Sequence, residues 1–185
     1  MKNQMAFKIL VTFLTLSFLL GCSNENDSSD KKNGITAAEQ KYPNLSATDR
    51  LDIIGVMSTY GMAADTRDYE LFRSLFHSEV EATFVFEPSF FDGDEVKVSG
   101  VDDLIDYIKA SSAAFKVGGQ HSITNPIISV EEGLIKVRCN VTWRAYYIDP
   151  PDRSISLWGY YETHMERIGG RWLIIKHSLF SLGSR

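Results

Sequence analysis

The sequence predicts an α+β fold, a cone-shaped α+β barrel in which three N-terminal helices pack on a curved, mostly antiparallel sheet. Three observations predict it. Apolar residues recur at helical spacing up to about Phe115. From residue 119 onward the period changes to two, in four segments separated by Glu132-Gly133, Pro150-Pro151 and Gly169-Gly170. Residues 46–185 of this 185-residue chain, 44% apolar overall, are enough for one packed core and too few for two ordinary domains.

The chain opens on an address rather than on structure. Lys2 and Lys8 precede an apolar run from Ile9 to Leu20, about half the roughly 20 residues a membrane-spanning helix needs, and a basic start before a short apolar stretch marks a secretory signal. Leu19-Leu20-Gly21-Cys22 resembles the lipobox of bacterial lipoproteins. That resemblance implies a signal peptide over 1–21, lipidation of Cys22 and stable anchoring in the membrane of a bacterial cell envelope, the outer membrane or periplasmic face being favoured in a Gram-negative cell. Without Lys2 and Lys8 the 19 basic and 24 acidic residues become 17 and 24, a formal charge of -7. With no basic stripe, nucleic acid is not expected as a partner. Residues 22–45, rich in Asn, Asp, Ser and Lys, read as the lipidated Cys and a flexible tether.

The domain begins at Ser46, with Asp49 three residues on as an approximate capping box, before Leu51, Ile53, Ile54, Val56, Met57 and Tyr60 in a helix to about Ala64. Asp65-Thr66-Arg67-Asp68 breaks it, and Asp68 can cap a short helix carrying Phe72, Leu75 and Phe76 as one stripe. A strand is expected from about Val80 to Phe86, then a loop with Pro88, Asp92 and Gly93 that either covers an opening or pairs as a hairpin. Residues 100–115 read as a third helix. The strands follow at 119–130, 133–148, 154–168 and 171–182, the cleanest putting Ile135, Val137, Cys139, Val141, Trp143, Ala145 and Tyr147 on one face. Cys139, alternating with valines, is expected as packing. A sheet that curls around helices without closing on them leaves a conical cavity, the default ligand site.

No Gly-rich phosphate loop, HExxH, CxxC or GxSxG is present, which leaves nucleotide hydrolysis, the common zinc sites and the serine-hydrolase elbow without support. No metal and no cofactor are expected. His77, after the second helix, is expected to face solvent near the helix end. His164 alternates with Glu162 and Glu166 on an outer side, and His177 is expected to share a face with Leu173, Ile175 and Leu179.

Tyr60 with Asp65-Thr66-Arg67-Asp68-Tyr69 and Leu75-Phe76, Gln120-His121 with Asn125-Pro126, and Gly170-Arg171-Trp172 followed by Ile174 together resemble the nuclear transport factor two-like superfamily, in the branch related to the polyketide cyclase SnoaL and to scytalone dehydratase. The resemblance covers residues 46–182. It implies that Asp65 is the pocket aspartate and His121 the histidine facing it, a catalytic pair in which the carboxylate fixes the imidazole tautomer and His121 moves a substrate proton. Three positions depart from the dehydratase pattern: Ala64 and Phe84 stand where tyrosines are expected, and the second pocket histidine is replaced near Arg144. Two readings of the pair stay open, since Asp65 can simply satisfy backbone donors at the helix junction and His121 can be an ordinary strand residue. Tyr60, Phe84, Trp143, Tyr161 and His177 are the expected ligand-binding residues. The function read from the sequence is a cell-envelope lipoprotein whose domain binds a small, largely apolar molecule. The alternative is a cofactor-independent lyase, isomerase or hydrolase using Asp65 and His121. A homodimer through the open sheet face is a further expectation.

Overall fold

The computed structural model describes residues 45–88, 93–131 and 133–185. The leader, Cys22 and nearly all of the tether lie outside them. Helix α1, Ala47–Thr66, starts in a full capping box: the Ser46 hydroxyl accepts from Asp49 N at 3.0 Å, and the Asp49 carboxylate accepts from Ser46 N at 3.3 Å. Its buried residues Ile53, Met57 and Tyr60, with Gly61 between helix and sheet, follow the helical period. Truncating one of these, as in Met57→Ala, costs about 2–5 kcal/mol. The helix ends two residues later than the sequence suggested, at the left-handed Arg67 (φ 57°), whose N–H is taken by Ala63 and Ala64 carbonyls.

Asp68 accepts from Leu71 N and caps α2, Tyr69–Arg73. The chain then turns directly into strand β1, Phe76–Val85, four residues ahead of the expected start. Phe76 is therefore a strand residue, and so is His77, whose Nδ1 accepts from Glu79 N at 3.2 Å instead of facing a helix end. The segment after β1 resolves as a hairpin: β2, Glu95–Ser99, pairs antiparallel with β1. Helix α3, Val101–Ser112, ends short of Phe115, which makes an isolated bridge to Tyr147.

Strands β3 (Gln120–Glu131), β4 (Leu134–Tyr146), β5 (Ser154–Ile168) and β6 (Arg171–Ser184) form an antiparallel meander. The sheet order is β2-β1-β6-β5-β4-β3, and only the β1–β6 pair is parallel. The fold is the expected mixed α+β cone, a curved and unclosed six-stranded sheet with helices on its concave side. In β4 every residue expected to point inward is buried or half-buried. Cys139 is fully buried, and burial pushes its thiol up to about 11, which leaves it inert packing.

One bulge decides a side chain's direction. Met165 pairs with Ile174 and His164 with Lys176, so Ile175 has no partner and the alternation of β6 reverses there. His177 consequently shares the core face with Trp172 and Ile174 before the bulge and with Leu179 after it, on the opposite face from Leu173 and Ile175 despite the same parity. Gly159 marks a second irregularity of the same pair of strands, where a Cβ would run into the Phe180 carbonyl.

Candidate active site

The last turn of α1 and the first residues of β3 meet where the sheet opens. Gly61 permits this approach, since a Cβ there would come 3.2 Å from both His121 Cβ and Ile123 Cδ1. Tyr60, Gly61, Ala64 and Asp65 are spaced to face the sheet together. Asp65 reaches His121 twice: Oδ1 lies 2.6 Å from Nδ1, and Oδ2 accepts from His121 N at 2.8 Å. The two side chains are 17% and 14% exposed, dry enough for a strong charge-assisted hydrogen bond and open enough for a ligand. With Nδ1–H donated to the carboxylate, neutral His121 carries its lone pair on Nε2.

His121 lines a cavity of about 130 Å³ that opens to solvent on one side, while Asp65 stands behind it and not on the wall. The volume is comparable to the ~150 Å³ that admits benzene. Of the expected ligand-binding residues, Tyr60, Phe84, Trp143 and Tyr161 are on the wall. His121 and Trp143 are register partners on β3 and β4, with ring centroids 6.2 Å apart. His177 is not on the wall. Its ring lies behind the tyrosines, 4.7 Å from both Tyr60 and Tyr161, with Nδ1 2.9 Å from Thr163 Oγ1. Burial, then the charge of His121, pushes its pKa down to about 3. The bulge at Ile175 turns it onto the core face, where Tyr60 and Tyr161 stand between it and the cavity.

Sequence reasoning missed the α3 side of the wall. Tyr107, Ile108, Ser111 and Ser112 lie at i, i+3 and i+4 spacing on α3, with Phe115 one turn on, a pattern that was present to be read. The remaining wall is aromatic and aliphatic, from Phe86, Leu157 and Leu179. Ala64 and Phe84 present hydrocarbon where the dehydratase pattern has hydroxyls. Arg144 is on the exposed outer face of β4, and its inward neighbour is Trp143. No Lys or Arg lines the cavity among the described residues, so it suits a neutral molecule.

Arg67 braces the wall from behind. Its Nη2 donates to the carbonyls of Ser112 at 2.9 Å and Phe115 at 2.6 Å, and Gly118 N donates to Asp65 O at 3.1 Å. The segment from Ser112 to Gly118 is thus tied to the helix terminus that carries Asp65. The described residues hold no group of three or more His, Cys, Asp or Glu placed to bind a metal ion.

The SnoaL-like domain profile matches residues 46–177, well over half of the chain. This chain belongs to the SnoaL-like family. No curated protein matches it. Among solved structures, the SnoaL-like domain is similar to a candidate scytalone dehydratase from Novosphingobium aromaticivorans, at 19% identity and TM-score 0.63 over 75% of this chain and 87% of that one. It is similar to the hexachlorocyclohexane dehydrochlorinase LinA-type3 from Novosphingobium barchaimii, at 16% identity and TM-score 0.63 over 75% and 89%. It is also similar to the Kfla4162 protein from Kribbella flavida, at 20% identity and TM-score 0.62 over 75% and 93%. These likenesses establish the fold shared by the SnoaL-like chain and its neighbours.

Proposed function

We propose that this SnoaL-like protein is a cofactor-independent enzyme of the lyase or isomerase type, acting on a small, largely apolar and neutral molecule. The observation that carries the reading is the 2.6 Å contact between Asp65 Oδ1 and His121 Nδ1 at the wall of an apolar cavity. Asp65 orients the imidazole and holds its proton on Nδ1. His121 Nε2 then takes a proton from the bound molecule and returns it to another atom, either a second carbon or a departing group. Two of the solved neighbours are named as a dehydratase and a dehydrochlorinase, and both names describe eliminations, in which a proton and a leaving group are lost.

A second reading, a binding domain without chemistry, is favoured by Ala64 and Phe84, which put hydrocarbon where hydroxyls would position a reacting oxygen. The deciding experiment screens enols, epoxides and ketones of one ring's size against the protein and its His121→Ala variant. Turnover that His121→Ala abolishes supports the enzyme; a ligand that both forms bind and neither converts overturns it.

The anchoring belongs to the same proposal. Lipid on Cys22 would hold the domain at the cell envelope on a tether, and mass spectrometry of the mature N-terminus tests it: an unmodified or uncleaved Cys22 refutes the anchor. Pairing of two copies through the open sheet face is tested by sedimentation of a form lacking residues 1–22.

A further inference from the structure

The outer face of the sheet carries a constellation that the cavity chemistry does not use. Along β4 the outward side chains Arg138, Asn140, Thr142 and Arg144 alternate with inward ones, and the register sets Glu162, Tyr160, Trp158 and Ser156 of β5 directly opposite them. Two arginines thus bracket two aromatic rings. Trp158 is 40% exposed, and its indole lies across its register partner Gly183, where a Cβ would overlap Cζ2 and Cε2. The glycine lets the ring rest on the strand, with its other face open to solvent.

Tyr160 stacks on Phe180 of β6 at 4.9 Å and 18°, and the Arg138 guanidinium sits 4.4 Å from its centroid; Arg144 sits 5.3 Å from the Tyr146 ring. The rings hold both cations in place without neutralising them. Glu162, the acid opposite Arg138, is engaged by Lys136 at 3.4 Å, and the rest of the two facing rows holds no Asp or Glu. Among the described residues no salt bridge engages Arg138 or Arg144, and no hydrogen bond engages the side chains of Asn140, Thr142 or Trp158.

An exposed indole face attracts a face of polarised C–H bonds, which a sugar ring presents together with a rim of hydroxyls. The two guanidiniums, six residues apart on one strand, are about 20 Å from each other, too far for one small acid to reach both. Their charge complements carboxylates spaced along a polymer. A nucleic-acid strand, with one phosphate per nucleotide, asks for a denser row of cations than two in a chain of formal charge -5. A second copy paired through this face would cover the same rings and set arginine-bearing rows against each other, so it and a polymer exclude one another.

We propose that this row of the outer face is a binding site for an acidic polysaccharide. One sugar ring stacks on Trp158, hydroxyls of its neighbours bond Asn140 and Thr142, and carboxylates meet Arg138 and Arg144. No covalent bond is made or broken. The site rests on neither the proton transfer nor the anchor proposed above, and its failure leaves both untouched.

The test is titration calorimetry of the form lacking residues 1–22, which keeps every described residue, with a hexamer of galacturonic acid as the probe. Its methyl ester, which keeps the sugars and loses the charge, is the control. The hexamer should bind with an affinity that falls as salt rises, and the ester should bind about 5-fold or more weakly. Trp158→Ala should weaken hexamer and ester alike by about 3- to 10-fold, the scale of one ring contact. Arg138→Gln and Arg144→Gln should each weaken the hexamer alone, by about 2- to 5-fold, and flatten its salt dependence. Thermal unfolding checks each variant, and the two exposed arginines carry the test if Trp158→Ala loses its fold. No hexamer bound, an ester bound equally well, or variants that all bind like the wild type overturn the site. So does tighter binding of a thymidine hexanucleotide, or a dimer in sedimentation that Trp158→Ala splits and the hexamer does not.

Discussion

Replacing Asp65 with asparagine keeps the shape of the side chain and removes its charge. Asp65 now accepts twice, from His121 Nδ1 at 2.6 Å and from His121 N at 2.8 Å. An asparagine has one oxygen, so one of these donors meets an NH₂ group. With the oxygen on the backbone N–H, the amide donates to Nδ1 and the imidazole proton moves to Nε2, where the base needs its lone pair. Two charge-assisted bonds of about 1.5–3 kcal/mol each give way to neutral ones of about 0.5–1.5, a net loss of about 2–3 kcal/mol. Proton transfer should fall by about 10²–10⁴-fold, the range for losing a positioned base or its correct tautomer. Long-range proton–nitrogen NMR of the His121 ring reports which nitrogen is protonated, and urea unfolding reports the stability. A variant that keeps Nε2 unprotonated and loses under about 0.5 kcal/mol would refute the reasoning.

Three other substitutions probe the support around the pair. Gly61→Ala should change stability by under about 1 kcal/mol, because better helix propensity offsets the 3.2 Å approach to Ile123 and His121, yet cut turnover about 10-fold by displacing His121; unchanged turnover would show that the helix and β3 have slack. His177, depressed from 6.5 to about 3, binds its proton in the unfolded chain first, so its contribution is full above about pH 6.5 and lost as pH falls toward 3. At pH 4.5 that loss is about 3 kcal/mol, and urea unfolding of His177→Gln should lack this part of the acid sensitivity; equal slopes for both proteins would contradict it. Arg67→Ala should speed amide hydrogen exchange over residues 112–118 and cost about 1–3 kcal/mol by freeing the Ser112 and Phe115 carbonyls; unaltered exchange would mean the segment is held by its backbone bonds alone.

What could be read from the residues and what could not divide along physical lines. Alternation along β4 is unbroken, so every inward residue from Ile135 to Tyr147 was legible, and Ser46 with Asp49 announced the start of α1. Bulges carry no local signature, so simple alternation groups His177 with Leu173 and Ile175 while the extra residue turns it the other way, beside Leu179. The early start of β1 is not legible because Phe76 continues an apolar stripe that suits a helix equally well, and its parallel pairing with β6 is a long-range choice. In the site, Asp65 and His121 stand 56 residues apart and were linked through a family resemblance, not through spacing. The α3 wall had a helical pattern of its own, but nothing in it said that this face looks onto a cavity.

The account's central claim is that His121 moves a proton of a molecule held in this cavity. Its most direct measurement is deuterium wash-in from heavy water into one-ring carbonyl compounds that bind the protein, followed by mass spectrometry for the wild type and His121→Ala. The account predicts exchange by the wild type at least about 100-fold faster than by the variant, with both binding the compound. Equal binding with exchange catalysed by neither would contradict it and leave a pocket that holds its ligand without changing it.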